Sequence, residues 1–377
     1  MSNALAALQK ALLHCRGDHL VASFFSDATQ STWFEQPWYA IAVGKAAESM
    51  LTGALSLAGQ RLVAGLMVCK APCAPLISDS RIQCFAAAHP VPDESSLKAG
   101  QALVAFVEQL PQNARVLFLL SGGASSLVEV LPESWDLSRL QNQTQDWLAS
   151  GWDIQRINQA RKALSLIKGG KLLNYFPPST QILQLMIADV PHQALASVGS
   201  GLLFGLSADE RVTTYCLADN QQLRHAIKTY LPETQIQSEY VKEDVNKLAE
   251  QIVAQARVGT VMVWGGEPVV QLPANAPAGG RMQHLALLVA WKLRDVSFTW
   301  QFLALASDGG DGTTAEAGAC VNQESILMAQ QQGWCVETTL AQANAHALLS
   351  DIGALLHIGY TGTNVNDVMI LSCEGSE

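Results

Sequence analysis

Apolar positions in this chain gather in short unbroken runs: WYAIAV (38–43), LVAGLMVC (62–69), RVLFLL (115–120), QILQLMIA (181–188), TTYCLA (213–218), TVMVW (260–264), FLALA (302–306) and DVMILS (367–372). Most are continuous rather than alternating, as strands covered on both faces read, and amphipathic stretches such as SLKAGQALVAFVEQL (96–110) lie between them. That order predicts an α/β protein with mainly parallel sheets. Three runs end in small residues: AVGKAAESM, LLSGGASS and ALASDGGDGTTAEAG. In open α/β sheets ligands collect outside the carboxyl ends of strands, so these turns are where a site is expected.

The length of 377 residues exceeds what one hydrophobic core usually serves, which predicts two domains. The stretch from 207 to 260 is plainer, and the division is placed near Leu203, giving domains 1–203 and 204–377. Hydrophobic residues make up 49% and charged residues 15%, a globular composition. The net charge is −10, with Lys and Arg scattered singly, so a nucleic-acid footprint is missing and an anionic substrate would need a local cationic pocket. No apolar stretch reaches the ~20 residues of a membrane span, and the opening Met1-Ser2-Asn3 has no positive lead-in. Eight cysteines without CxxC spacing read as mostly buried, reduced thiols in a cytoplasmic protein. Cys69 and Cys73, the closest pair, have a proline between them.

Several residues then stand out. Lys45 follows the first strand beside Gly44, where a point charge can hold a phosphate or carboxylate; a solvated lysine at a helix start fits equally. Ser121, Gly122, Gly123, Ser125 and Ser126 suit either an anion-binding turn or a plain capped one. The segment RINQARKALSLIKGGKLL (156–173) predicts a helix closed at Gly169-Gly170, with Arg161 and Lys168 on one face as a basic wall or as cations suiting the helix dipole. Asp308 and Asp311, in a glycine-rich loop, are candidate oxygen ligands for Mg²⁺, or an Asp-Gly turn. Gly280 and Arg281 open a helix, and Thr361, Thr363, Asn364, Asn366 and Asp367 precede the last strand. HExxH, GxSxG and Walker spacings are absent.

Taken in order, VGKAA, HPVPDESS (89–96), LLSGGASSL, INQARKALSLIKGGKL, IADVP, WGGEPVV (264–270), AGGRMQHLAL, SDGGDG and TGTNVND resemble the class II glycerate 2-kinases, the family with a C-terminal MOFRL domain. The resemblance runs from about residue 40 to 372. It implies two three-layer α/β/α domains, the first Rossmann-like with a mainly parallel sheet, a MOFRL region at about 260–372, and an active site in the interdomain cleft. It further implies ATP-dependent phosphorylation of the 2-hydroxyl of D-glycerate or a similar hydroxy acid, with Mg²⁺. Lys45, Arg281 and Asp189 become the catalytic residues and Asp308 and Asp311 the metal carboxylates. Gly44, Ser121, Gly122, Gly123, Ser125, Ser126, Arg161, Lys168, Gly280, Thr361, Thr363, Asn364 and Asn366 become binding residues. Partners are then ATP and a small anionic substrate, with assembly into a homo-oligomer left open. The chain departs from the family pattern at Ala124, Ala163, Ala188, His192 and Gln193, at 199–203, and at Met282 and His284. Because members of the family are also labelled hydroxypyruvate reductases, a nicotinamide-dependent reductase is one rival reading, weakened by the lack of GxGxxG after a strand; a catalytically reduced relative that only binds a metabolite, motivated by the changed residues around Asp189 and Arg281, is the other.

Overall fold

Five of the apolar runs, with one further strand, build the first sheet. A computed structural model describes residues 3–71, 77–150, 154–205, 207–273 and 275–375. It divides into two units, the first comprising Arg16–Ala218 and Gly362–Asn364. Its strands are β1 (Trp38–Val43), β2 (Leu62–Lys70), β3 (Ile82–Ala87), β4 (Arg115–Ser121), β5 (Gln181–Ile187) and β6 (Val212–Ala218). They lie in the order β3-β2-β1-β4-β5-β6, and every ladder is parallel. This is the Rossmann order, and it reverses direction between β1 and β4, the place where such sheets open a crevice.

The four inner strands of that sheet are largely buried on both faces, which is why they read as unbroken apolar runs. Ile41, Val43, Leu66, Val68, Val116, Phe118 and Leu120 share one core with Ala99, Leu103 and Val107 of the helix Glu94–Glu108. That helix starts where Asp93 and Ser96 cap each other's backbone amides. The alternate residues Ala40, Ala42, Leu117 and Leu119 are equally buried. The helix Ala47–Ala58, with Met50, Leu51 and Ala54 inside, touches β1, β2 and β4.

The second unit joins Met1–Cys15, Asp219–Thr361 and Val365–Glu377. Its strands are β7 (Thr234–Val241), β8 (Thr260–Gly266), β9 (Thr299–Ala306), β10 (Gly318–Asn322), β11 (Leu355–Leu356) and β12 (Asp367–Glu374), in the order β11-β10-β9-β12-β8-β7. Here β7 and β8 are parallel while β12 runs antiparallel to both β8 and β9, so the sheet is mixed. Met262, Trp264, Phe302, Ala304, Met369 and Leu371 form a core with the helices Val245–Gln255 and Arg281–Leu293. The helix Asn220–Tyr230 touches β7, β8 and β12 and is backed by the N-terminal helix Asn3–His14.

Two features differ from the sequence reading. Strand β6 lies beyond residue 203 yet pairs with β5, so the first unit extends to Ala218, and the first helix belongs with the second unit. Seven cysteines are described, all free: Cys15, Cys69 and Cys373 are buried, but Cys84 on the edge strand β3 and Cys335 are exposed. Cys73 lies outside the described residues.

Candidate active site

In the first unit the switch point is built around two glycines. Strand β1 ends at Val43 and β4 at Ser121, and their turns are stitched together: the Lys45 amide donates to Gly122 O at 2.9 Å, and the Ala46 amide donates to Ser121 Oγ at 2.9 Å. Ser121 is fully buried, so its hydroxyl braces the Gly44-Lys45 turn. A Cβ on Gly122 would stand 2.1 Å from Asn364 Nδ2 and 2.2 Å from Asp189 Oδ2. On Gly123, at φ +83°, it would stand 3.0 Å from Lys45 Cγ and 3.2 Å from His89 Cδ2. No side chain fits at Gly122 without displacing the carboxylate or the amide, and the left-handed backbone of Gly123 adds a second reason for glycine there. Lys45, His89, Asp189 and Asn364 are thereby brought against one short turn.

Ser125 and Ser126 continue it in the four-residue helix Ala124–Leu127. Ser126 Oγ donates to Gly123 O at 3.1 Å, and Ser125 Oγ lies 2.6 Å from Ser200 Oγ. Thr363 and Asn364 are buried in this unit.

The expected basic helix is shorter than its sequence suggests, spanning Ile154–Leu164. The chain leaves it because the Leu166 amide donates to Val130 O, and the Lys171 ammonium then caps the helix end, donating to Ala163 O and Ser165 O at 2.6 Å. Lys168 is therefore not on a helical face with Arg161. It turns inward to a salt bridge with Glu129, each side chain 1% exposed. Burial lowers the Lys168 pKa, Glu129 opposes it, and Arg161 adds to the lowering. Lys168 is thus a buried structural cation rather than part of a basic wall.

In the second unit, the turns after β8 and β9 meet the start of β12. The antiparallel register sets Asp367 beside Gly266 and Ala306. Arg281 Nε donates to Asp367 Oδ2 at 2.6 Å, Nη2 to Asp367 Oδ1 at 3.3 Å, and Nη1 to Glu267 Oε1 at 3.1 Å. Its side chain remains 30% exposed while that of Asp367 is 1% exposed. Burial works against the guanidinium charge, but Asp367 and then Glu267 override it and raise the Arg281 pKa. Burial also pushes Asp367 up to about 6, with Arg281 opposing.

Asp311, expected as a metal ligand, is instead the cap of the Arg281 helix. Its carboxylate accepts from the amides of Met282 at 3.2 Å and Gln283 at 2.8 Å, and it is 1% exposed. Gly280 is required by this approach, since a Cβ there would fall 2.0 Å from Asp311 Cγ. Burial raises Asp311 to about 7, against the two amides. Asp308 stays partly exposed after β9, its Oδ1 accepting from the Gly310 amide at 3.4 Å. Thr361 Oγ1 donates to Ser307 O at 2.6 Å, and Asn366, at φ +64°, donates to Tyr240 Oη. Among the described residues no group of three or more His, Cys, Asp or Glu side chains is arranged to hold a metal ion.

His89 and Glu267 carried no individual expectation, though both lie in stretches quoted for the family resemblance, HPVPDESS and WGGEPVV. Nothing in their local pattern marks them. Their meaning comes from partners far away in sequence.

A two-unit α/β protein with a Rossmann-ordered sheet and a lysine at its switch point is the class this geometry defines. Two family descriptions match the chain: a domain of unknown function (DUF4147) over residues 3–230, and the MOFRL family over residues 260–367. The chain is 30% identical to a D-glycerate 2-kinase of Thermotoga maritima, covering 88% of this chain and 89% of the relative. It is 27% identical to a glycerate 2-kinase of Pyrococcus horikoshii, covering 77% and 78%. A crystal structure of a glycerate kinase from Thermotoga maritima superposes with a TM-score of 0.82 at 26% identity, covering 98% of each chain. The chain belongs to the class II glycerate 2-kinase family, in which a DUF4147 domain precedes a MOFRL domain.

Three predictions follow from these contacts. Lys168→Ala strands the Glu129 carboxylate and should cost about 3–5 kcal/mol in denaturant unfolding; a loss within error would return Lys168 to the surface. Asp311→Ala removes the partner of two helix amides and should cost about 1–2 kcal/mol. For Asp367, the unfolded chain releases its proton near 3.8 and the folded protein near 6. Only the unfolded form ionises between those values, so the contribution of this group to stability falls as pH rises through that window and is flat above it. Asp367→Asn should remove this component of the slope of unfolding free energy between pH 4.5 and 6.5, and parallel profiles would contradict it.

Proposed function

We propose that the protein transfers the γ-phosphoryl group of ATP to the 2-hydroxyl of D-glycerate, giving ADP and 2-phosphoglycerate. Family membership supports the reaction, since relatives covering most of the chain are named glycerate 2-kinases. The observation that carries the reading onto residues is the Gly122-Gly123 turn with Lys45, His89, Asp189 and Asn364 around it.

Phosphoryl transfer asks a protein for positioning and charge stabilisation more than for covalent chemistry. The bond from the γ-phosphorus to the bridging oxygen breaks, a bond to the glycerate 2-oxygen forms, and the hydroxyl proton leaves. Lys45, a compact ammonium at the switch point, faces the transferring group and its growing charge. Asp189, partly exposed beside Gly122, orients the hydroxyl and accepts its proton. Asn364 offers an amide to the same acceptor. In the second unit Arg281 is held by Asp367 and Glu267 with N–H donors left on both terminal nitrogens, so its role is to present a fixed cation. Mg²⁺ would neutralise nucleotide phosphates; it takes few carboxylates and keeps waters, which suits the partly exposed Asp308, whereas Asp311 is committed to its helix.

The Rossmann order of the first sheet is shared with nicotinamide enzymes, yet its β1 turn reads VGKAA, where a dinucleotide needs GxGxxG. The test is purified protein with Mg-ATP and D-glycerate, following ADP release, beside a parallel assay of NAD(P)H oxidation with hydroxypyruvate. Glycerate-dependent ADP release is expected, and nicotinamide turnover in its place would overturn the kinase reading. Lys45→Ala should lower kcat roughly 10²- to 10³-fold with an unchanged melting temperature; a near-normal rate would remove Lys45 from the mechanism.

A further inference from the structure

A cleft of about 310 Å³ in the first unit has no part in the account so far. The segment that follows His89 forms one wall, with Pro90 and Val91, and the helix Leu137–Ala149 forms another, with Leu137, Leu140 and Gln145; Arg161 lies at its margin. We propose that this cleft receives the adenosine part of the nucleotide, a subsite that rests on the kinase reading above.

Three observations converge on it. Its lining is chiefly apolar, as a purine needs on its faces, while Gln141 and Gln145, one helical turn apart, supply amide donors and acceptors for a ring edge. Its one charged residue is a cation. By contrast, a second cleft of the molecule carries Glu233 and Glu374, and a third carries Glu239 and Glu243 against Lys242. A polyphosphate is repelled by carboxylates and accepted beside a guanidinium, so charge selects the cleft with Arg161. Continuity is the third: Pro90 follows His89, whose ring lies 3.2 Å from the Cβ position of Gly123 beside Lys45. At ~3.8 Å per Cα step, the wall from His89 to Pro92 spans about 11 Å at most. One extended nucleotide then places its base in the cleft and its phosphates at the switch point. Free glycerate, small and polar, has no use for such a lining.

Val91 is 60% exposed and Gln145 is exposed, so both can be changed without disturbing the core. Val91→Asp and Gln145→Glu each place a carboxylate in the cleft. In the full-length protein each should raise the calorimetric Kd for ADP and the KM for ATP about tenfold, while the KM for glycerate and the kcat at saturating ATP hold. If wild type binds ADP and both variants bind it equally well, the subsite is refuted and the kinase reading stands. A rise in the glycerate KM alone would assign the cleft to the acceptor and refute the subsite too. Should wild type bind no ADP at millimolar concentration, the kinase reading falls and takes the subsite with it.

Discussion

The space beside two consecutive α-carbons governs the candidate site. Gly122 and Gly123 have no side chains, and the volume where Cβ atoms would stand is taken by Asp189 and Asn364 on one residue and by Lys45 and His89 on the next. Those four groups come from four separate places in the chain. They meet because a backbone without Cβ atoms lets them approach within van der Waals distance of it. The parallel order of the sheet does the rest: β1 and β4 are neighbours whose helices leave toward opposite faces, and the turns at their carboxyl ends are left facing a crevice.

Buried charge is handled in three ways across the two units. Lys168 and Glu129 are both removed from water and answer only each other, an arrangement that contributes little net stability but is costly to break. Arg281 keeps part of its surface in solvent while Asp367 is wholly inside. Such a pair fixes the direction of a guanidinium without consuming all its donors. Asp311 shows a third use of a carboxylate, as the cap on the helix that Arg281 opens. The same SDGGDG loop therefore divides its two aspartates between structure, at Asp311, and a solvent-facing position, at Asp308.

Eight strands were legible as apolar runs, and all eight are strands in the structure: seven are inner strands, and the eighth, β6, is an edge strand that keeps Thr213 and Tyr215 exposed. The four that were not legible are β3, β7, β10 and β11. Both β3 and β7 are edge strands with exposed positions mixed into them, and β11 has only two residues. Continuous apolarity reports burial rather than strand direction, so the antiparallel entry of β12 between β8 and β9 left no trace in the pattern. The end of the basic helix at Leu164 was equally hidden, since it depends on Val130 and Glu129 reached from another part of the chain.

The sequence by itself determined the α/β class, the family, and the glycine-punctuated turns at strand ends, because these rest on local periodicity and on short collinear motifs. What the fold added is the partners of the charged residues: Lys168 and Asp311 are absorbed into structural contacts, while His89 is set beside Gly123 and Glu267 beside Arg281. The reason is physical. The free energy of a charge is set by the water, partners and dipoles around it, and for these residues those neighbours are distant in sequence and adjacent only once the sheets have formed.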